Sequence, residues 1–112
     1  MSTTSIRDFS TPIRYVDEEV VVEVRGELDI DTVAVLEETV AQLLDEGTRR
    51  LVIDLATTSF VDSTGLRGLL DVTKRCQAAD RSLRIVNPRR STARLIELTG
   101  VGGILPVSLP PP

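Results

Sequence analysis

Two short acidic stretches hold the residues of this chain best suited to chemistry. In Asp62-Ser63-Thr64-Gly65-Leu66, a hydroxyl follows a carboxylate directly after an apolar segment. In Asp29-Ile30-Asp31, one residue separates two carboxylates. A serine can accept a transferred group, and paired aspartates can act as nucleophile and as general acid or base. Each stretch therefore has a chemical interpretation beside a structural one.

The structural interpretation is that these polar residues cap helices. After Ser63 the residues of one helical face recur at a spacing of three and four: Leu66, Leu69, Leu70, Thr73 and Cys76. Asp62 or Ser63 is the predicted N-cap, because a short side-chain oxygen accepts hydrogen bonds from the free N–H groups of the first turn. We therefore expect the Ser63 hydroxyl at an accessible rim.

The second stretch also precedes a helical pattern. Asp29 or Asp31 is the predicted N-cap of this helix, and Gly47 is its predicted C′ residue. Its predicted buried stripe consists of Val33, Leu36, Val40, Leu43 and Leu44. Helix capping accounts for both carboxylates, so no catalytic role is needed to explain them.

The enzymatic interpretations are weaker. The Asp29 and Asp31 spacing imitates the opening of haloacid-dehalogenase-type phosphatases, but Arg25-Gly26-Glu27 interrupts the apolar strand that such a site needs. A serine hydrolase at Ser63 lacks a histidine base and a Gly-x-Ser-x-Gly elbow. No phosphate loop of the Gly-x-x-x-x-Gly-Lys-Ser/Thr type occurs. We expect a non-enzymatic protein without cofactor or metal, which receives any phosphate from another protein.

Composition narrows the class of protein further. A length of 112 residues allows one domain, and aromatic residues make up only 3%. The net charge is −4 and the basic residues are scattered, which argues against direct nucleic-acid binding. No apolar run approaches the roughly 20 residues of a membrane span, and the single cysteine, Cys76, falls on a predicted core face. These features favour a cytoplasmic protein without membrane insertion.

The first half of the chain predicts a hairpin followed by a buried strand. Ser5 to Val16 and Glu19 to Leu28 are the predicted hairpin strands, joined by a turn at Asp17-Glu18. Pro12 places the first strand at a sheet edge or gives it a bulge, because proline donates no hydrogen bond. The apolar run Leu51 to Leu55 is typical of a strand buried in a parallel sheet.

The second half predicts a further strand, a helix and a last strand. Leu83 to Val86 is the next apolar strand, and Asn87-Pro88 offers an N-cap with proline at the first helical position. This helix is predicted to end at Gly100, and Ile104 to Val107 is predicted to be the last strand.

The alternation of strands and helices predicts a single α/β domain, a mixed sheet with a parallel centre covered by about three main helices. Its expected limits are residues 6–107, after a flexible N-terminus at residues 1–5 and before a Pro-rich tail at residues 108–112.

One known family matches this arrangement. Ser59-Phe60-Val61-Asp62-Ser63-Thr64-Gly65-Leu66, together with Gly26-Glu27-Leu28-Asp29, resembles the STAS domain of bacterial anti-sigma factor antagonists. The resemblance runs from about Ile6 to Val107 and includes the late glycine turn at Gly100-Val101.

The resemblance implies a phosphorylation switch. In that family the anti-sigma factor is a serine kinase that phosphorylates the first hydroxyl after the aspartate, which is Ser63 here, with Asp62 beside it and Asp29 in the neighbouring loop. A metal-dependent serine phosphatase resets the switch. Thr64 stands where many relatives have a second serine, and Arg67 where a small or apolar residue is common.

The resemblance also implies a docking surface, formed by Asp62 to Gly68 at the start of the helix and by the loop from Gly26 to Asp31. Its expected residues are Gly26, Leu28, Asp29, Asp62, Ser63, Thr64, Gly65, Leu66 and Arg67. An alternative from another class stays open: a STAS interaction subunit of a transporter or lipid-trafficking complex that is never phosphorylated. The sequence leaves open whether the chain is a monomer or a weak dimer.

Overall fold

The computed structural model describes residues 8–107. The described strands are β1 (Ile13–Val16), β2 (Glu19–Glu23), β3 (Gly26–Leu28), β4 (Arg50–Asp54), β5 (Thr58–Val61) and β6 (Ser82–Val86). The described helices are α1 (Val33–Asp45), α2 (Ser63–Ala78) and α3 (Arg90–Thr99), and a 3₁₀ turn follows at Val101–Gly103. The predicted N-terminal segment 1–5 and the predicted tail 108–112 lie outside the described residues.

The main sheet has four strands in the order β1-β2-β4-β6. β1 is antiparallel to β2, whereas β2, β4 and β6 run parallel to one another. The predicted mixed sheet with a parallel centre is thus confirmed. The hairpin turn at Asp17-Glu18 is also confirmed, with Asp17 in the left-handed region at φ 55°. Pro12 precedes β1, which is an edge strand as its proline predicted.

The core lies between one face of this sheet and the helices. Strand residues of that face are buried together in register: Val20, Val22, Leu51, Ile53 and Ile85. Helix residues of the same cluster are Leu36, Val40 and Leu43 from α1, Leu66, Leu69, Val72 and Cys76 from α2, and Ile96 from α3. Burial raises the pKa of the Cys76 thiol, as expected for a core cysteine.

The opposite face of the sheet is covered by charged side chains. Arg84 pairs with Glu19 at 2.8 Å, and Arg14 pairs with Glu23 at 2.6 Å. The alternation of strand side chains places these pairs on the same face as Val21 and Val52, which are only 6% and 3% exposed. Long charged side chains therefore shield this face with their apolar stems.

The predicted strand from Glu19 to Leu28 is wrong, because the chain changes sheets within it. β2 ends at Glu23, and β3 begins at Gly26, which has φ 107°. β3 pairs in parallel with β5 in a separate two-stranded sheet. The sequence prediction missed β5 entirely.

Two predicted strand ends also differ. The first strand, predicted from Ser5, begins at Ile13 in the described part, although Ser10 forms an isolated bridge with Arg25; residues 5–7 are not described. The predicted last strand, Ile104 to Val107, is wrong. The Leu105 N–H donates to the Val101 carbonyl at 3.0 Å, which curls the chain, and only Val107 bridges to β6.

The predicted start of the third helix is wrong, but its end is confirmed. α3 begins at Arg90, with Arg89 as N-cap, so Pro88 is not its first residue. Asn87 has φ 59°, and its side-chain amide donates to Asp54 Oδ1 at 3.1 Å. Because of this left-handed turn at Asn87, the helix begins only at Arg90. At the other end, Gly100 closes α3 in the left-handed conformation with φ 74°.

None of the helices in the described part of the chain has the length and the apolar character needed to span a bilayer.

Two glycines allow α2 to pack closely against its surroundings. A Cβ at Gly65 would fall far inside van der Waals distance of the Leu28 backbone carbonyl, and a Cβ at Gly68 would collide with Val33 Cγ2. The first two turns of α2 therefore approach the end of β3 and the start of α1 more closely than any side-chain-bearing residue permits.

We predict that Gly65→Ala destabilises the fold by about 1–3 kcal/mol, because the added methyl group must displace backbone. Urea unfolding followed by circular dichroism measures this change. Gly103→Ala is the matched control, since nothing lies within 4 Å of a Cβ at that position. Equal stability of the two variants would contradict the close approach.

We also predict that the salt bridges of Glu19 and Glu23 contribute less to the free energy of unfolding at acidic pH. The pKa of Glu19 is lowered by its hydrogen bond from Arg84, and that of Glu23 by hydrogen bonds from Arg14 and Arg25. A lowered pKa in the folded state contributes stability above the ordinary value of 4.5, and this contribution is lost as pH falls below it. The double variant Glu19→Gln, Glu23→Gln should lose less unfolding free energy between pH 6 and acid than the parent. An identical pH dependence of parent and variant would contradict the assignment.

Candidate functional site

The candidate site lies where β3 and β5 end. Because these two strands are parallel, their carboxyl ends lie at the same edge, and the following segments leave side by side. The Asp62 N–H donates to the Leu28 carbonyl at 3.3 Å. The two acidic stretches, more than thirty residues apart in sequence, thus meet in the fold.

Asp62 is the N-cap of α2, as predicted. Its backbone is extended, and its Oδ1 accepts a hydrogen bond from the Gly65 N–H at 2.7 Å. This bond satisfies one of the donors that every helix leaves free in its first turn. The Asp62 carboxylate is therefore turned toward the helix backbone.

Ser63 is the first residue of α2 and is exposed. Within residues 8–107 its hydroxyl takes part in no hydrogen bond, and the residue lines an open groove beside α2. The predicted accessibility of this hydroxyl is confirmed. The N-terminus of a helix favours negative charge, so a negatively charged group at this position is compatible with the helix.

The loop after β3 is held by Thr32, which the sequence prediction missed. The predicted capping of α1 by Asp29 or Asp31 is wrong, because Thr32 occupies the N-cap position. The buried Thr32 hydroxyl donates to the Glu27 carbonyl at 2.6 Å and accepts from the Asp29 N–H at 3.0 Å. Threonine directly before a helical pattern signals the N-cap position, but the Thr32 hydroxyl bonds within the loop and not to the first turn of α1.

Asp29 stabilises the same loop with its side chain. Its Oδ1 accepts a hydrogen bond from the Asp31 N–H at 3.0 Å, which closes a short turn. Ile30, at the tip of this turn, is 71% exposed. The loop therefore presents an apolar side chain beside the start of α2.

Some of the predicted surface residues lie beneath the surface. Leu28 is fully buried, Gly65 is buried, and Leu66 is 4% exposed. Thr64, Gly26 and Asp29 are half-buried, whereas Ser63 and Arg67 are exposed. The buried residues hold the site in place, and the others form its surface.

Further apolar side chains near the site were missed. Phe60, just before the end of β5, is 49% exposed, and Leu98 of α3 is 74% exposed. Both line a shallow groove next to Val61. Leu98 was detectable as an apolar residue off the buried face of α3, but Phe60 was not, because its strand was not predicted.

Arg67 extends the site along α2. It lies one turn after Ser63, and both line an open groove of about 390 Å³ between α2 and the end of α3. The complete lining is Ser63, Leu66, Arg67, Leu70, Asp71, Lys74 and Thr99. We call this the α2 groove. In the described residues, no group of three or more histidine, cysteine or acidic side chains is arranged to hold a metal ion.

Comparisons with known proteins agree with this geometry. Residues 13–107 match the family model described as "Mlab, STAS domain". The chain is 36% identical over 87 residues to proteins named anti-sigma-B factor antagonist from Staphylococcus epidermidis and Staphylococcus aureus. The aligned region covers 78% of this chain and 81% of each relative.

Solved structures share the fold. An anti-sigma factor antagonist from Mycobacterium paratuberculosis superposes with a TM-score of 0.78 at 29% identity, covering 88% of this chain and 84% of that one. The anti-sigma factor antagonist SpoIIAA in its unphosphorylated form superposes with a TM-score of 0.71 at 20% identity, covering 88% of each chain. A parallel-centred sheet, an exposed serine at the start of α2 and these relatives together lead to one assignment. The chain belongs to the anti-sigma factor antagonist family of STAS-domain proteins.

Proposed function

We propose that the unphosphorylated chain binds an anti-sigma factor that is a serine kinase, and thereby releases a sigma factor for transcription. Phosphorylation of Ser63 ends this binding, and a serine phosphatase restores it. The observation that carries the proposal is the exposed Ser63 hydroxyl at the first residue of α2, beside the capping carboxylate of Asp62. The protein acts in the cytoplasm as a binding partner and not as an enzyme.

The docking surface combines the two segments that meet at the candidate site. Ser63, Thr64 and Arg67 contribute from α2, and Asp29 contributes from the loop after β3. Gly26, the first residue of β3, lies at the other end of that short strand. Ile30 and Phe60 add exposed apolar area near these polar residues. Interfaces bury apolar and aromatic side chains in their core and carry polar groups at their rim, so such side chains can supply the core contacts.

Phosphorylation acts on binding rather than on folding. A phosphoserine adds about −1.5 to −2 charges and is tolerated at a helix N-terminus. Inside a closed interface the same group has to lose its water beside Asp62, which carries a like charge. The effect therefore falls on the complex, and the fold of the free chain is retained.

A structural relative supports this separation of fold from binding. SpoIIAA has been solved in an unphosphorylated and in a phosphorylated form, and both superpose on this chain, with TM-scores of 0.71 and 0.66. That protein thus keeps its fold in both states. We propose the same behaviour for this chain at Ser63.

The first test replaces Ser63 by Ala and by Asp. Ser63→Ala should bind the anti-sigma factor as the parent does, whereas Ser63→Asp should weaken binding by roughly 2–5 kcal/mol, because an unpaired charge enters the interface. The probe is the host kinase that transfers phosphate from ATP to the parent chain, and affinity is measured by titration calorimetry.

The matched control is Ser82→Asp, which adds the same charge at an exposed serine beyond the far end of α2. Circular dichroism should be unchanged in all three variants. Binding of Ser63→Asp with parental affinity would overturn charge exclusion as the switch mechanism.

A second candidate function is a STAS interaction subunit that is never phosphorylated. It is favoured by the description of the matching family model and by a likeness to part of murine Slc26a9, an anion transporter, with a TM-score of 0.69 at 19% identity. The match covers 82% of this chain and 15% of the transporter chain.

Intact mass spectrometry of the chain isolated from its host separates the two functions. The switch predicts a fraction heavier by one phosphate, which phosphatase treatment removes and which Ser63→Ala abolishes. A chain without such a fraction under all growth conditions, recovered together with a membrane complex, would support the scaffold instead.

A further inference from the structure

The α2 groove combines apolar and basic side chains next to Ser63. Ser63, Arg67, Leu70 and Lys74 follow one another at spacings of four, three and four, so they form one stripe along the outer side of α2. Leu66 and Leu70 give the groove an apolar floor, and Arg67 and Lys74 stand as exposed cations along it. Ser63 marks one end of the groove and Lys74 the other.

The net charge of this groove is opposite in sign to the net charge of the whole protein. Arg67 and Lys74 face one carboxylate, Asp71, which leaves the groove with a net charge of +1. The chain as a whole has a net charge of −4. In the described residues, the salt bridges formed by arginines 14, 25, 50 and 84 involve none of these three groups. The two cations of the groove are therefore available to a partner.

We propose that the α2 groove receives an acidic amphipathic segment of the anti-sigma factor. This inference rests on the proposed function and adds the chemistry of the partner. Apolar side chains of the segment pack on Leu66 and Leu70, and its carboxylates pair with Arg67 and Lys74. Lys74 lies eleven positions after Ser63, a distance of about 16 Å along the helix, which matches about three turns of a helical segment laid along the groove.

The position of Ser63 in the groove also gives phosphorylation a second means of weakening partner binding. A phosphoserine of about −1.5 to −2 charges converts the net charge of the groove from positive to negative. The same phosphate lies one turn from Arg67 and competes with the partner's carboxylate for that guanidinium. Phosphorylation thus repels an acidic segment along the groove as well as at the hydroxyl itself.

The test uses a charge reversal far from the phosphorylated residue. Lys74→Glu should weaken binding of the host kinase that phosphorylates this chain by about tenfold or more at low salt, because an attractive charge becomes repulsive. Lys74→Arg should retain parental affinity. The matched control is Arg75→Glu, which makes the same charge change on the next residue of α2, an exposed side chain that lines a different cleft with Glu37. Affinities are measured by titration calorimetry at 50 and 500 mM NaCl.

The outcomes separate this inference from the proposed function. Loss of affinity in Lys74→Glu, near-parental affinity in Arg75→Glu and a weaker salt dependence in Lys74→Glu than in the parent would support the acidic segment. Equal losses of affinity in Lys74→Glu and Arg75→Glu would show an effect of net charge alone and would overturn the proposed binding of an acidic segment in the α2 groove. Parental affinity of Lys74→Glu together with loss in Ser63→Asp would overturn the groove and leave the switch intact. Parental affinity of both would overturn the switch as well.

Discussion

The close approach of the first two turns of α2 to β3 and α1 is the constraint on which the candidate site depends. Gly65 lets the helix backbone come against the Leu28 carbonyl, and Gly68 makes room for Val33. The Asp62 N–H also donates to that carbonyl. A larger residue at either glycine would lift the helix away from the sheet, and Ser63 would no longer lie beside the loop that follows β3.

Parallel pairing of two very short strands brings the site together. β3 and β5 have only three and four residues, yet their parallel register aligns Leu28 with Val61, so the following turns leave from one edge. The main sheet supplies the stability that so small a pair lacks, since β2 and β4 are buried on the helix side and shielded by charged side chains on the other. The exposed residues of the candidate site are thus attached to the packed core through Leu28 and Leu66, which belong to it.

The sequence left open whether Asp62 or Ser63 caps α2 and whether this stretch serves the fold or chemistry. In the structure Asp62 alone is the cap. Asp62 caps α2 and is fixed by its hydrogen bond to Gly65, so it serves the fold. Ser63 is the next residue and is exposed. The capping hydrogen bond is made by Asp62, so a change of the Ser63 side chain leaves that bond in place. The proposed switch therefore involves a side chain on which the cap of α2 does not depend.

The sequence alone determined the features that depend on nearby residues. The hairpin turn at Asp17-Glu18, the buried strand β4, the buried stripe of α2 with its cap at Asp62, and the end of α3 at Gly100 follow from local periodicity and capping chemistry. The family followed from the residues around Ser63. Only the tertiary structure decided what depends on distant partners. It split the predicted second strand at Gly26 and paired β3 with β5. It also left Phe60 and Leu98 exposed and opened the α2 groove. Pairing across a sheet and the covering of a side chain are set by residues far away in the chain, and no local pattern records them.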